Sequence, residues 1–88
     1  MTTKLQSSIT VKIESFGAIE RQLPQDLTVK CQIDSLVADV LNKVIQSFPE
    51  AFNLLERCAC AIGEDIISRQ TQLSIDSRLV LLSPVAGG

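Results

Sequence analysis

Tryptophan, tyrosine and histidine are absent from this 88-residue chain, and three phenylalanines supply all of its aromatic content. Base-stacking platforms are therefore missing, and a net charge of −2 with no basic run offers nothing to neutralise phosphates. A nucleic-acid partner is not expected. Three cysteines without any histidine argue against both a paired disulfide framework and the usual mixed Cys/His zinc site. Cys58-x-Cys60 lacks the two-residue spacer of zinc and redox motifs, and strand alternation points both thiols to the core with Ile62. Cys31 is read the same way on its own strand. No apolar run reaches bilayer-spanning length, and the opening MTTKLQSS lacks the apolar centre of a signal peptide. The expected location is the cytoplasm, away from membranes. No nucleophile–base pair, metal cluster or cofactor box is found, so neither a bound cofactor nor independent catalysis is expected.

What the chain does have is apolar surface. Hydrophobic residues make up 45% of it, and the mean hydropathy of +0.26 is high for a single domain this small. More apolar side chains are present than one small core absorbs, which points to a partner surface.

Residues 1–8 are polar and aperiodic and are read as a disordered arm. From Ile9 the chain alternates: Ile9, Val11 and Ile13 share one face, and Thr10, Lys12 and Glu14 the other. Phe16-Gly17 ends that strand. Leu23-Pro24-Gln25-Asp26 supplies turn chemistry, and Leu27, Val29, Cys31 and Ile33 alternate again, giving an antiparallel hairpin. Asp34 and Ser35 offer capping oxygens to a helix whose apolar stripe is Leu36, Val37, Val40, Leu41, Val44, Ile45 and Phe48, and Pro49 discourages its continuation. That stripe reads as core. A short helical turn follows over 51–57, then a strand at 58–62, a Gly63-Glu64-Asp65 turn and a short strand at 66–68. Residues 69–75 read as a connection with Leu73 tucked inward, and Asp76-Ser77 as a tight turn before the last strand, 79–82.

The pattern implies an α+β domain over 9–83, a mixed sheet with one main helix across one face. The last strand, Leu79-Val80-Leu81-Leu82, is apolar on both faces, which suits a central position beside the first strand. One of its faces then meets the helix and the other awaits a partner. Parity alone does not decide which. After it, Ser83-Pro84 stops sheet pairing, and residues 84–88 form a flexible tail with a reach of roughly 18 Å when extended. Gly87-Gly88 adds no side chain, so the backbone fits a narrow channel in another protein.

The stretch Arg78-Leu-Val-Leu-Leu-Ser-Pro-Val-Ala-Gly-Gly88 resembles the C-terminus of the molybdopterin synthase small subunit, of the MoaD/ThiS sulfur-carrier family. Phe16-Gly-Ala-Ile-Glu-Arg resembles the family's turn after strand one. The resemblance implies the β-grasp, ubiquitin-like fold. It also implies that the Gly88 carboxylate is adenylated and then converted to a thiocarboxylate. The ATP is consumed by a ubiquitin-activating-like adenylyltransferase, and a sulfur donor enzyme provides the sulfur. The tail residues Pro84, Val85, Ala86 and Gly87 are expected in a channel of the large subunit, where sulfur passes to a pterin precursor in molybdenum cofactor biosynthesis. By itself the chain would be a sulfur-donating subunit, active only with that large subunit in a heterotetramer. Leu82, Val80 and Phe16 are the expected partner interface. A thiamine-type or other sulfur carrier, a ubiquitin-like protein modifier and a plain interaction module with an inert tail are the alternatives. The sequence departs from the family pattern at Ser83, where the first of two prolines usually stands, and at Asp76-Ser77-Arg78, where an acidic-Gly-acidic turn is common.

Overall fold

The structure is a computed structural model, and residues 8–84 are described. Its strands are β1 (Ser8–Phe16), β2 (Thr28–Gln32), β3 (Ser35–Leu36), β4 (Ala59–Ile62), β5 (Asp65–Ile67), β6 (Gln72–Leu73) and β7 (Ser77–Leu82). Helix α1 spans Val37–Ser47 and the short helix α2 Phe52–Arg57. Five strands form one sheet in the order β2-β1-β7-β4-β5, and β3 with β6 makes a separate antiparallel rung. β1 and β7 are parallel neighbours at the centre, and the remaining pairs of the large sheet are antiparallel. This mixed sheet grasping one main helix is the β-grasp, ubiquitin-like arrangement.

Alternation along β1 has the expected outcome. Ile9, Val11 and Ile13 are buried, and Val29 and Cys31 of β2 join them in the core. On α1 the buried positions are Val37, Val40, Leu41 and Val44, one stripe at helical spacing, with Ile45 and Phe48 packed at its margin. Leu79 and Leu81 of β7 are fully enclosed in the same core, and the central strand is thereby clamped between β1 and β4. Between β1 and β2 the chain makes a 3₁₀ turn, Gly17–Arg21, which sends the wholly buried Ile19 back inward.

Several local expectations differ from the structure. Asp34 and Ser35 do not cap α1: Asp34 takes a left-handed φ of 69°, donates its N–H to the Leu73 carbonyl and accepts the Ser74 hydroxyl. The helix start is satisfied from elsewhere. Asp39 Oδ2 accepts the Leu36 N–H at 3.0 Å, and the Thr71 and Arg69 carbonyls accept the Val37 and Ala38 N–H groups, each at 2.9 Å. Because the chain turns at Asp34 to make the β3–β6 rung, Ile33 leaves β2 and is exposed instead of continuing its buried face. The short fourth strand lies at Asp65–Ile67, one residue earlier than expected, and Ser77 already belongs to β7.

Candidate functional site

Register decides what parity could not. Leu79 and Leu81 face the helix, so Val80 and Leu82 point to the opposite, outward face, where both are half-buried. Leu82 is paired with Phe16 on one side and Ala59 on the other. In the next outward row Val80 lies between Glu14 and Ala61, and Ala61 is paired with Ile66. Phe16 is 49% exposed and Ile66 66%. The outward face is thus divided along the strand direction. Phe16, Leu82, Val80, Ala59, Ala61 and Ile66 make its apolar end, where β1 and β7 both terminate. The other end carries Lys12, Lys30 and Arg78, with Arg78 Nε 3.3 Å from Glu14 Oε2 across the parallel pair. That ion pair is largely exposed and contributes little to stability.

The chain leaves the sheet at the apolar end. Ser83 follows Leu82, and its N–H donates to the Phe16 carbonyl at 3.1 Å. Pro84 is exposed immediately beyond. Phe16, Val80 and Leu82 are therefore brought together at the root of the tail. The other expected site residues, Val85, Ala86, Gly87 and Gly88, lie outside the described residues. Sequence reasoning passed over Ala59 and Ile66, which join the patch only once β4 pairs with β7 and β5 with β4. It also left Gly17 and Ser83 without a joint role; the break after Phe16 was the visible signal for the first of them.

Among the described residues no group of His, Cys, Asp or Glu side chains is arranged to hold a metal ion. Cys31, Cys58 and Cys60 are free and buried. Burial pushes the Cys58 thiol above its ordinary value, Cys60 adds to that, and nearby Arg69 partly opposes it. Burial likewise raises Cys60 against the pull of Arg69. Both thiols stay protonated at neutral pH, the inert state of structural cysteines. Arg69 itself is engaged: Nη2 donates to the Leu55 and Cys58 carbonyls at 2.6 and 2.9 Å, closing the end of α2. No helix among the described residues is long and apolar enough to cross a membrane.

A family model, that of the ThiS family, matches residues 15–88, the segment running from the end of β1 through the tail. The chain belongs to the ThiS family. No curated protein sequence matches it. Among solved structures, this ThiS-family chain is similar to one in the complex of subunits 1 and 2 of molybdopterin-converting factor from Helicobacter pylori. The identity is 26%, with 91% of this chain and 100% of that one covered and a TM-score of 0.65. It also resembles SAMP1 from Haloferax volcanii, at 16% identity, 90% and 99% coverage and a TM-score of 0.72. The HVO 2177 protein of the same organism gives 15% identity, 100% and 94% coverage and a TM-score of 0.78. The last two likenesses establish the ubiquitin-like fold and nothing finer.

Proposed function

We propose that this ThiS-family chain is a sulfur carrier of the molybdopterin-synthase type, which docks by its outward apolar patch and delivers sulfur on Gly88. The observation that carries the reading is the placement of the tail root. β7 sits at the centre of the sheet and ends beside Phe16, so the chain leaves the sheet at Ser83, on the rim of the apolar patch. A partner covering Phe16, Val80 and Leu82 meets the tail at the same time. Residues 85–88 add at most ~14 Å of reach beyond Pro84, enough to enter a channel next to such an interface.

The chemistry assigned to Gly88 follows from its functional group. An α-carboxylate, with a pKa near ~3.5, is ionised at neutral pH and resists nucleophiles. Its oxygen attacks the α-phosphorus of ATP on an adenylating partner, pyrophosphate leaves, and the acyl-adenylate then loses AMP to hydrosulfide, giving the thiocarboxylate, or to a persulfide, giving an acyl disulfide that a thiol reduces to the thiocarboxylate. The large subunit supplies the pterin pocket and the acid–base groups. The similar Helicobacter pylori structure is itself a two-subunit complex, which supports a large-subunit partner for this chain. Pro84, before Val-Ala-Gly-Gly, favours the molybdopterin type over a thiamine-type carrier, whose tails generally lack that proline.

The reading is tested by mixing the chain with a molybdopterin synthase large subunit and measuring both association and conversion of the pterin precursor. Removing Gly87 and Gly88 should leave association intact and abolish sulfur delivery. Recovery of the chain in isopeptide linkage to target lysines, with no sulfur transfer, would favour a protein modifier instead.

A further inference from the structure

Ser83 is the first residue beyond β7, and three hydrogen bonds hold it against the turn after β1. Its N–H and its hydroxyl both donate to the Phe16 carbonyl, at 3.1 and 2.8 Å, while the Ile19 N–H donates to its Oγ at 3.1 Å. The hydroxyl is thus donor and acceptor at once. The 3₁₀ turn Gly17–Arg21 opens at Phe16, whose side chain supplies no cap. Ser83 therefore caps that turn from 64 residues away, satisfying an N–H that would otherwise lack a partner. Ile19 is wholly buried, so the junction is fastened to the core.

Gly17 makes this approach possible. A Cβ at that position would lie 2.5 Å from Ser83 Oγ, and the backbone there has a φ of +89°. Proline, which the resemblance places at this position in related tails, has neither an N–H nor a hydroxyl to give. The fastening belongs to this chain's own serine. Pro84 then fixes the next φ near about −65° and restricts the backbone of Ser83 as well. Two consecutive residues at the tail root are constrained, one by hydrogen bonds and the other by its ring.

We propose that Ser83 is a positioning residue: its hydroxyl, bridging Phe16 and Ile19, sets the direction in which the tail leaves the domain before any partner is engaged. The partner that activates Gly88 then has one residue fewer to order. This rests on the carrier reading above, in which the Gly88 carboxylate is the group delivered. Without the hydroxyl the Ser83 N–H still donates to the Phe16 carbonyl but the bridge to Ile19 is lost, so part of the ordering of the root falls on the partner, and the penalty appears in capture of the tail rather than in chemistry.

The test is steady-state thiocarboxylation of the full chain by an adenylating enzyme of the ubiquitin-activating class with MgATP, a persulfide sulfur donor and a thiol that reduces the resulting acyl disulfide to the thiocarboxylate, followed by intact mass. Wild type, Ser83→Ala and Ile9→Ala are compared. Ile9→Ala thins the core at the opposite end of β1 from Phe16 and reports what loss of stability alone does. For Ser83→Ala the KM for the chain should rise about 2- to 10-fold, part of the cost of ordering one backbone residue, with kcat unchanged. Ile9→Ala should leave KM unchanged. An unaltered KM in Ser83→Ala, or an equal rise in Ile9→Ala, overturns the proposal while the carrier reading stands. Failure of the wild-type chain to acquire sulfur sinks the carrier reading, and the proposal with it.

Discussion

Phe16 and Leu82 are register partners on the last rung of the parallel β1–β7 pair, and both lie on the face turned away from α1. Each is only partly covered, although they flank the point where the chain leaves the sheet. An acidic side chain at either position meets water in the free domain and an apolar surface in the docked one. Phe16→Asp and Leu82→Asp should each weaken large-subunit binding by about 30-fold or more, as loss of a central interface anchor does. Calorimetric titration measures the affinity, and thermal unfolding of the free variants should differ little from wild type.

The contact between Gly17 and Ser83 makes a non-additive pair. Gly17→Ala places a Cβ against Ser83 Oγ and forces a residue other than glycine to a φ of +89°, so a loss of about 1–3 kcal/mol is expected from chemical denaturation. In Gly17→Ala/Ser83→Ala the 2.5 Å contact is gone, leaving the backbone strain and a 3.3 Å approach to the carbonyl of residue 83. The double variant should therefore be more stable than the sum of the two single losses, and strict additivity would contradict the contact.

Ser15 Oγ is buried without a hydrogen-bond partner among the described residues, in the register row of the enclosed Leu81. A buried hydroxyl that makes no bond costs free energy, so Ser15→Ala should raise stability by up to about 1 kcal/mol. A drop in the denaturant midpoint would show that the hydroxyl is paired.

The thiols give a pH dependence with a definite sign. Burial holds Cys58 and Cys60 above the ordinary thiol range, so the folded chain binds those protons more tightly than the unfolded chain does. The associated stability is fully present below the unfolded thiol pKa, near ~8.5, and is lost as pH rises through the higher folded values. Between neutral pH and about pH 10 the wild-type denaturant midpoint should fall more than that of Cys58→Ala/Cys60→Ala. Folded protein at pH 7.5 should likewise react with a thiol reagent no faster than it unfolds; rapid labelling would contradict the burial.

Much of the architecture was legible because it is written in side-chain period. Ile9, Val11 and Ile13 at period two and Val37, Val40, Leu41 and Val44 at helical spacing name their own faces, and the doubly apolar 79–82 stretch gives away a central strand. What period cannot show is the partner of a polar group distant in sequence. Asp34 looks like a helix cap until Ser74 and Leu73 claim it, and the caps come from Asp39, Thr71 and Arg69 instead. Ser83 looks like no more than a departure from the family pattern, yet it is a fastened residue, because Phe16 and Ile19 reach it only once β1 and β7 are paired. Ile66 is likewise invisible as part of the patch until β5 pairs with β4.

The central claim is that Gly88 is an acyl carrier for sulfur, and intact-mass analysis after incubation with ATP, an adenylating enzyme and a sulfur donor tests it most directly. The account predicts that the mass rises by the difference between one sulfur and one oxygen atom, and that a chain lacking Gly88 shows no change. A wild-type chain that gains no sulfur, or a Gly88 deletion that gains it equally, would contradict the account.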